Sequence, residues 1–405
     1  MNNPKMMPVF FNVGADNTLE NIKEEASGKQ LGLYSRFETF NKIFTKYFRF
    51  KQITIISGNS GGAKSYLKSM LKLDFTDNED LVIPMSPHNK EIIEHLTTVG
   101  EFYYNHKTSC LIRPAINKSY SKPVLFIDFT FEMSIEEETL RLLSIITGYN
   151  TDYLQSALLV NNEYQNISNE VIDFVSVLLD KLTQQKQLKI FSFPISGTVL
   201  DIQECVLHCA NLYPDHQIVT AIDHTLLTKK LDEKTDFDLH NNLMKTLIET
   251  KLLLGKRLMQ FLVVQMNSDI EDEGRRTKPA LHYPIQSDIY AGTQLYFGAD
   301  NIIMLYNPSK AHIEFYGVNK IPTVVLNSKV KCLVETDNAD RVTLIHGSIL
   351  KNRSGKLGHT WFLNKLDKGK IVPITRENDG SYVFKERLNF IDYLKDQMLG
   401  ELNNY

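Results

Sequence analysis

The sequence predicts an α/β fold, with a doubly wound, mainly parallel sheet followed by antiparallel β-hairpins at the C-terminal end. Short apolar runs alternate with amphipathic helical stretches along most of the 405 residues, as in a parallel sheet covered by helices. A glycine-rich turn joins the first buried strand, at 53–56, to the helix that follows it. From Asn301 onward the β-like stretches are closely spaced, which predicts the hairpins.

The elements follow in chain order from the period of their apolar residues. Helices are predicted at 16–27, 65–73, 91–104, 136–146, 171–182, 200–212, 239–254 and 384–399. Strands are predicted at 53–56, 123–129, 188–193, 217–222, 260–264, 301–306, 312–316, 323–326, 330–334, 342–350 and 359–363. Residues 74–121, which begin with an acidic turn at 74–80, are predicted to be an insertion that serves as a lid or an interaction element.

Composition limits the classes of function. The formal net charge is −3, so any nucleic-acid binding must come from a local basic surface. The four cysteines have no framework spacing, which suits a reducing compartment. Cys205, His208 and Cys209 could be metal ligands, but without a second pair they are interpreted as the packed side of a helix. The sequence has no membrane-length apolar run and no signal-peptide pattern, so we expect a cytoplasmic protein without a membrane partner.

The turn after the strand at 53–56 has the pattern of a phosphate-binding loop. It comprises Gly58, Asn59, Ser60, Gly61, Gly62, Ala63, Lys64, Ser65 and Tyr66. We expect its main-chain N–H groups and the helix N-terminus to face phosphates, with Lys64 on the β/γ oxygens and the Ser65 hydroxyl on Mg²⁺. Ala63 stands where the usual pattern has glycine, and we expect a helical φ there, which alanine tolerates. The alternative interpretation of the whole stretch from Gly58 to Tyr66 is an ordinary surface turn.

Three polar residues follow predicted strands, at the edge where a parallel sheet presents its site. Asp223 is a candidate for the Mg²⁺ shell or, alternatively, an acidic strand end or helix cap. Glu132 is a candidate to activate water or, alternatively, an acid favoured by the helix dipole. Gln265 is a candidate sensor of the γ-phosphate or, alternatively, a surface amide.

Five further stretches carry a family resemblance. They are Gly32-Leu33 to Phe37 with Phe40; Phe131-Glu132-Met133-Ser134 with Arg141-Leu142-Leu143; Gln265-Met266-Asn267 with Ile270-Glu271; Ser287-Asp288-Ile289 with Gly292 and Ala299-Asp300-Asn301-Ile302-Ile303; and Lys351-Asn352-Arg353-Ser354-Gly355 with Gly358. In order, they resemble motifs of the DnaB-type replicative helicases, the RecA-like superfamily 4. The resemblance covers about 18–365, which is essentially a motor domain.

The resemblance implies a RecA-like P-loop NTPase that uses ATP and Mg²⁺ and translocates on single-stranded DNA as a ring, usually a hexamer. It implies an N-terminal arm and linker helix at 1–30, a motor domain at 31–375 and a helical tail at 376–405. Glu132 would polarise the attacking water, Asp223 would hold the Mg²⁺ shell, and Gln265 would report nucleotide state to DNA loops. Arg353, with Lys351 beside it, would be offered in trans to the neighbour's γ-phosphate. Without the family pattern, these two cations are a solvated turn.

Nucleic-acid contacts are predicted in the stretch after Gln265. Arg275, Arg276 and Lys278 form a basic, glycine-flanked loop, and cations of this kind are sufficient for sequence-independent grip on a backbone. The same loop also carries four acidic residues. The partners that the resemblance implies are single-stranded DNA, further copies of the chain, and a primase or helicase loader.

Several departures from the family pattern point to a divergent member of phage or mobile-element type. Besides Ala63, Ser268 replaces the arginine of "Q-L-N-R", and His224-Thr225 replaces a tyrosine-leucine pair. We also expect no helical N-terminal domain before the motor. The expected location is the cytoplasm of a prokaryotic cell or of a phage-infected host. Two alternatives stay open: a RecA- or KaiC-like recombination ATPase, and a degenerate motor retained as a binding or scaffold module.

Overall fold

The computed structural model describes residues 11–160, 162–184, 189–290, 292–326, 329–330, 342–353, 355–365, 370–376 and 382–384. The helices are α1 (Phe11–Ala26), α2 (Glu38–Ile43), α3 (Lys64–Thr76), α4 (Lys90–Thr98), α5 (Ile135–Thr147), α6 (Thr151–Leu154), α7 (Asn169–Gln184), α8 (Val199–Leu212), α9 (Asp236–Leu254), α10 (Glu273–Arg276) and α11 (Gly292–Gly298). The strands are β1 (Gly32–Leu33), β2 (Phe48–Arg49), β3 (Gln52–Gly58), β4 (Leu81–Pro84), β5 (Tyr103–Asn105), β6 (Cys110–Arg113), β7 (Val124–Thr130), β8 (Leu158–Val160), β9 (Glu163–Gln165), β10 (Lys189–Ser192), β11 (Gln217–Asp223), β12 (Leu258–Gln265), β13 (Asn301–Tyr306), β14 (Phe315–Tyr316), β15 (Ile321–Pro322), β16 (Val324–Leu326), β17 (Lys329–Val330), β18 (Val342–Asn352), β19 (Gly358–Lys365), β20 (Lys370–Arg376) and β21 (Tyr382–Phe384).

One large sheet organises these elements, in the strand order β10-β7-β11-β12-β3-β13-β18-β19-β20-β21. The six strands from β10 to β13 pair in parallel. Strands β18 to β21 continue the sheet in antiparallel pairs, and β16 joins β18. The predicted fold class, a mainly parallel α/β sheet with antiparallel C-terminal hairpins, is therefore confirmed.

Helices cover both faces of the parallel strands, because these strands are apolar on both sides. Ile56 and Phe126 point to one face, where α3, α4, α5 and α7 pack. Ile55 and Leu125, their chain neighbours, point to the other face, where α8, α9 and α11 pack. The carboxyl ends of the parallel strands remain uncovered by these helices and carry the candidate site.

Several predicted boundaries were wrong. Asp74, predicted in an acidic turn, lies in the last turn of α3, because its buried carboxylate binds the Arg36 side chain there. The helix predicted at 91–104 ends at Thr98, because Tyr103 to Asn105 pair with β6 as a strand. In the predicted strand at 312–316, only the last two residues are β. Phe384 ends β21 rather than beginning a helix, and 385–399 and 331–334 lie outside the described residues.

A buried cluster of ion pairs joins the end of α3 to the small antiparallel sheet β4-β6-β5. We call it the sealed network; its members are Arg36, Asp74, Asp77, Glu101 and Arg113. Arg36 binds Asp74 at 2.7 Å and also binds Glu101, while Arg113 binds Glu101 at 2.8 Å and Asp77 at 3.2 Å. Each of these side chains is 4% exposed or less. The network therefore fixes the segment after α3 onto the core.

In the part of the chain that the structure describes, no helix combines the length and the apolar character needed to span a bilayer.

Candidate nucleotide-binding site

The glycine-rich turn lies at the carboxyl edge of the parallel strands, between β3 and α3. β3 ends at Gly58 and α3 begins at Lys64, so strand, turn and helix follow one another in the predicted order. A Cβ at Gly58 would lie 2.6 Å from the carbonyl oxygen of Leu305, so glycine is required where the turn passes β13. Gly61 has a φ of +68°, which glycine adopts without strain.

Ala63, the last residue before α3, has a left-handed backbone with φ 62° and ψ 23°. The helical φ expected at this position is therefore wrong. The turn requires a left-handed residue here, which explains why glycine is usual, and the conformation costs an alanine about 1–2 kcal/mol. The methyl group is buried, with 7% of the residue exposed, and burial offsets part of that cost. Strain of this kind is typical of functional sites.

The register of the sheet brings the predicted strand-end residues to one edge. Asp223, the last residue of β11, pairs with Val263 of β12, and Gln265 pairs with Gly58 of β3. Neighbouring strands lie about 4.8 Å apart, so these strand ends are close in space.

Glu132 reaches the same edge through the turn between β7 and α5. Thr130, the last residue of β7, pairs with Asp223 of β11, and Glu132 follows two residues later. The Thr130 hydroxyl donates to the carbonyl oxygen of Met133 at 3.1 Å. Ser134 then caps α5, with its side chain accepting from the N–H of Glu137. Both ends of this short turn are thus fixed, and the exposed Glu132 carboxylate is held over the strand edge.

These residues enclose a cavity of about 260 Å³. Its lining includes Ser60, Gly61, Gly62, Ala63, Lys64, Ser65, Tyr66, Glu132, Arg141, Asp223, His224 and Gln265. The structure therefore brings together most of the turn with all three strand-end candidates. Arg141 and His224 also line the cavity, although neither was predicted as a site residue.

Lys64 is one of two cationic side chains in the lining of this cavity, the other being Arg141. Its ammonium donates to the carbonyl oxygens of Gly58 and Asn59 at 2.8 and 3.0 Å. Burial lowers the pKa of Lys64, and the carboxylates of Asp223 and Glu132 oppose that shift. Because its partners are neutral main-chain oxygens, a phosphate oxygen would be the stronger acceptor for this ammonium.

Two further lysines continue from Lys64 along one face of α3, and we call Lys64, Lys68 and Lys72 the lysine stripe. The Lys68 ammonium lies 3.1 Å from Asp128 Oδ1 and 3.0 Å from Asp223 Oδ2. Sequence reasoning missed this role, but the spacing of four residues between the lysines of α3 was the available signal.

The inner end of the stripe is more deeply buried. Lys72, whose side chain is 0% exposed, binds both Asp128 and Glu138. Of the acids that bind these lysines, Asp223 lines the cavity, and one of its carboxylate oxygens is bound by Lys68.

The donor atoms at the cavity suit a hard divalent cation. The Ser65 hydroxyl and the Asp223 carboxylate both line it, and oxygen ligands of this kind are those that Mg²⁺ prefers. Among the described residues, no group of three or more His, Cys, Asp or Glu side chains is arranged to hold a metal. Cys209 of α8 instead packs into the core, 4% exposed.

The cavity also contains two pairs of side chains in contact. The Arg141 guanidinium lies 4.9 Å from the centre of the Tyr66 ring. His224, which has a left-handed backbone with φ 61°, places its Nε2 3.1 Å from Gln265 Nε2. The predicted sensor glutamine is therefore in contact with the residue that follows Asp223.

Lys351 and Arg353 lie far from this cavity. The Arg353 guanidinium is 2.9 Å from Asp300, just before the amino end of β13, whereas Gly58 pairs with Leu305 near the carboxyl end of that strand. Five residues of strand separate the two points by about 16 Å. The Arg353 side chain is 60% exposed, so it faces outward at the opposite edge of the sheet. The Lys351 ammonium donates to the carbonyl oxygen of Tyr296 at 2.6 Å.

The three cations predicted to contact nucleic acid have different surroundings. Arg275 is engaged within the chain, where it binds the Asp288 carboxylate and donates to the Tyr283 carbonyl oxygen at 2.9 Å. Arg276 is half-buried, and Lys278 is exposed. Arg275 thus shapes the loop, and Lys278 is the member most accessible to a ligand.

A glycine-rich turn at the carboxyl edge of a parallel sheet, with acids close to it, is the arrangement of a phosphate-binding loop in an α/β nucleotide-binding fold. No protein-family model matches this chain, and no curated protein matches it.

Two solved structures place the fold more narrowly. One of them, an ATPase domain, superposes with a TM-score of 0.58 at 14% identity, over 88% of this chain and 97% of that chain. The other, a DnaB-like replicative helicase studied with its primase interactions, has a TM-score of 0.58 at 14% identity, over 92% of this chain and 68% of that chain. The fold is that of a DnaB-like helicase motor domain, and the predicted resemblance is confirmed at the level of the fold.

Proposed function

We propose that the chain is an ATP-dependent DNA helicase that translocates on single-stranded DNA as a hexameric ring. The observation that supports this most is the convergence of Lys64, Glu132, Asp223 and Gln265 on one cavity. Phosphoryl transfer needs a cradle and a cation for the phosphates, oxygen ligands for Mg²⁺, and a carboxylate for the attacking water. The cavity contains a candidate for each requirement.

Each residue has a distinct task in this proposal. Lys64 would leave its main-chain partners to bind the β- and γ-phosphates of ATP. The Ser65 hydroxyl and the Asp223 oxygen that Lys68 does not bind would hold Mg²⁺, which supplies positive charge against the phosphates. Glu132, which is exposed to the cavity, would orient and deprotonate the attacking water. Gln265 would exchange its contact with His224 for one with the γ-phosphate.

Arg353 would act on a neighbouring subunit. Its position at the opposite edge of the sheet keeps it from its own cavity and presents it outward. An arginine supplied in trans to phosphoryl transfer is worth roughly 10³–10⁵ in rate. In such a ring, the exposed Leu19 and Ile22 of α1 would pack against a neighbouring subunit.

Nucleic acid would be held by the loop that carries Arg276 and Lys278. A primase or a helicase loader is a further proposed partner, since the DnaB-like helicase of similar fold interacts with primase. The proposed location is the cytoplasm.

Strand separation tests the proposal. The full chain should separate a forked DNA duplex with ATP and Mg²⁺, and its mass in solution should correspond to six subunits. Lys64→Ala should assemble equally well and separate no strands. A monomeric wild-type protein, or strand separation without ATP, would contradict the proposal.

Mixing subunits tests the role of Arg353. Lys64→Ala and Arg353→Ala should each be inactive alone. In mixed assemblies, an intact cavity can meet an intact Arg353 from its neighbour, so part of the ATPase activity should return. Normal turnover by Arg353→Ala alone would exclude the role in trans.

A further inference from the structure

The side chain of Asn59 leaves the glycine-rich turn and contacts two other segments. Asn59 is 4% exposed, and its Oδ1 accepts from the N–H of Asn307 at 3.0 Å. Its Nδ2 donates to the Asn307 carbonyl oxygen at 3.3 Å and to Glu271 Oε1 at 3.1 Å. The turn that would hold phosphates is thus hydrogen-bonded directly to Glu271, in the segment that follows β12.

The contacts to Asn307 fix the turn to the sheet. Asn307 follows β13, is 1% exposed, and donates through its own Nδ2 to the Gly61 carbonyl oxygen at 3.1 Å. The two asparagines therefore bind each other's segments reciprocally. These contacts restrain the side of the turn that faces Asn307. A displacement of Asn59 would therefore be transmitted to Glu271.

Phosphate occupancy would act directly on Asn59. The Lys64 ammonium donates to the Asn59 carbonyl oxygen at 3.0 Å. A phosphate that recruits this ammonium removes the hydrogen bond, because a charged oxygen is the stronger acceptor. The carbonyl oxygen of Asn59 then loses its hydrogen bond from Lys64, while the Asn59 side chain remains bound to Glu271.

Glu271 in turn lies only a few residues before the cations Arg275, Arg276 and Lys278, whose segment we call the basic turn. It ends a short turn anchored by Ile270, which is 2% exposed. The next residue, Asp272, accepts through its carbonyl oxygen from the N–H groups of Arg275 and Arg276, at 2.9 Å each. Glu271 therefore lies immediately before the residue whose carbonyl oxygen begins α10 and its cations.

We propose that Asn59 and Glu271 relay phosphate occupancy to the basic turn, so that Glu271 is a positioning residue for single-stranded DNA binding. The relay rests on the proposed function and lies apart from the strand-end contact of Gln265 with His224. A coupling between two binding sites is typically 5–150-fold in affinity. Without the Asn59–Glu271 hydrogen bond, nucleotide would still bind but would no longer change the affinity for DNA.

The test measures the affinity of the full chain for a fluorescent oligo-dT strand, with and without Mg²⁺ and a non-hydrolysable ATP analogue. In the wild type, we expect the analogue to change the dissociation constant at least about fivefold. In Glu271→Ala, the ratio of the dissociation constants with and without the analogue should lie within twofold of one. The affinity of this variant for the analogue, measured without DNA, should be unchanged. Glu271→Gln keeps an acceptor oxygen and should retain most of the response. Glu273→Ala, which truncates an exposed carboxylate two residues later, is the matched control and should respond as the wild type does.

Each outcome decides the inference. An unchanged ratio in Glu271→Ala, or an equal loss in Glu273→Ala, would overturn the relay and leave the proposed function standing. A wild-type protein that binds no single-stranded DNA would overturn both. If Glu271→Ala does not fold, Glu271→Asp replaces it. The aspartate side chain has one methylene fewer, so its carboxylate would not reach Asn59 and the ratio of the two dissociation constants should fall toward one. A ratio equal to that of the wild type would overturn the relay.

Discussion

Two buried charge clusters lie along α3, and they differ in what their charges face. The lysine stripe runs from the amino end of the helix to Lys72, and its Lys68 and Lys72 pair with Asp128, Asp223 and Glu138. At the carboxyl end, the sealed network pairs Arg36 and Arg113 with three acids. Lys64 and Asp223 of the first cluster line the cavity, whereas no member of the sealed network does.

The difference shows that ion-pair chemistry alone does not identify a site. Both clusters remove charges from water and compensate them by pairing, which is at best weakly stabilising in itself. Only the stripe has members whose charge is directed at a space that a ligand can enter. Variants in the two clusters should therefore separate activity from stability.

Glu132→Gln, at the cavity that the lysine stripe faces, should reduce activity strongly. The amide cannot take a proton from the attacking water, and such groups contribute about 10²–10⁴ to rate. Since Glu132 is exposed, the melting temperature should change little. Steady-state ATP turnover and a thermal melt check both statements. A variant with wild-type turnover would show that another group activates the water.

Glu101→Gln, the same substitution in the sealed network, should instead reduce stability. It leaves Arg36 and Arg113 buried without their shared carboxylate, and breaking a buried pair costs about 3–5 kcal/mol. Urea denaturation measures the loss, and turnover per folded molecule should be unchanged. Glu136→Gln, on the exposed side of α5, is the control. A loss no larger than that of the control would mean that Glu101 does not stabilise the network.

The pH dependence should report on the inner end of the stripe. Burial alone would raise the pKa of Glu138, but the ammonium groups of Lys68 and Lys72 hold it well below its usual 4.5. Because the folded pKa lies below the unfolded one, the stabilisation is complete above about pH 4.5 and is lost as the pH falls toward the folded value.

We expect the unfolding free energy to decrease by about 3 kcal/mol through this group as the pH falls from 4.5 to below 2, because its pKa is lowered from 4.5 to about 2 and each unit is worth about 1.4 kcal/mol. Urea denaturation at several pH values would measure this slope, and Glu138→Gln should make it shallower. An identical slope in both proteins would show that Glu138 is not the titrating group.

Ala63→Gly should have the smallest effect. It relieves about 1–2 kcal/mol of left-handed strain but adds about 0.5–1 kcal/mol of backbone freedom to the unfolded chain. A net stabilisation of up to about 1 kcal/mol is expected. Ala210→Gly, inside α8, should be destabilising and provides the contrast. Destabilisation by Ala63→Gly would mean that the buried methyl outweighs the strain.

The parallel core was predictable because its signals are local. Buried strands are continuous apolar runs, and their helices carry regular apolar periods, so β3, β7, β11 and β12 were placed within one or two residues. The strand-end candidates followed from topology, since parallel strands present their carboxyl ends at one edge.

The rest depends on contacts between distant parts of the chain. From its sequence neighbours, Asp74 is predicted to lie in an acidic turn. Its burial in α3 depends on Arg36, which lies 38 residues earlier and binds its carboxylate. The same holds for Lys68, whose partners are on β7 and β11. The φ of Ala63 is set by the turn rather than by α3, so its neighbours in sequence gave the wrong expectation.

The most direct measurement is ATP hydrolysis by the 405-residue chain with Mg²⁺, in the presence and absence of single-stranded DNA. We expect turnover that increases with DNA, and that disappears without Mg²⁺ and in a folded Lys64→Ala variant. Folded wild-type protein that hydrolyses no ATP under either condition would contradict the assignment of the cavity. Undiminished turnover by Lys64→Ala would contradict it equally.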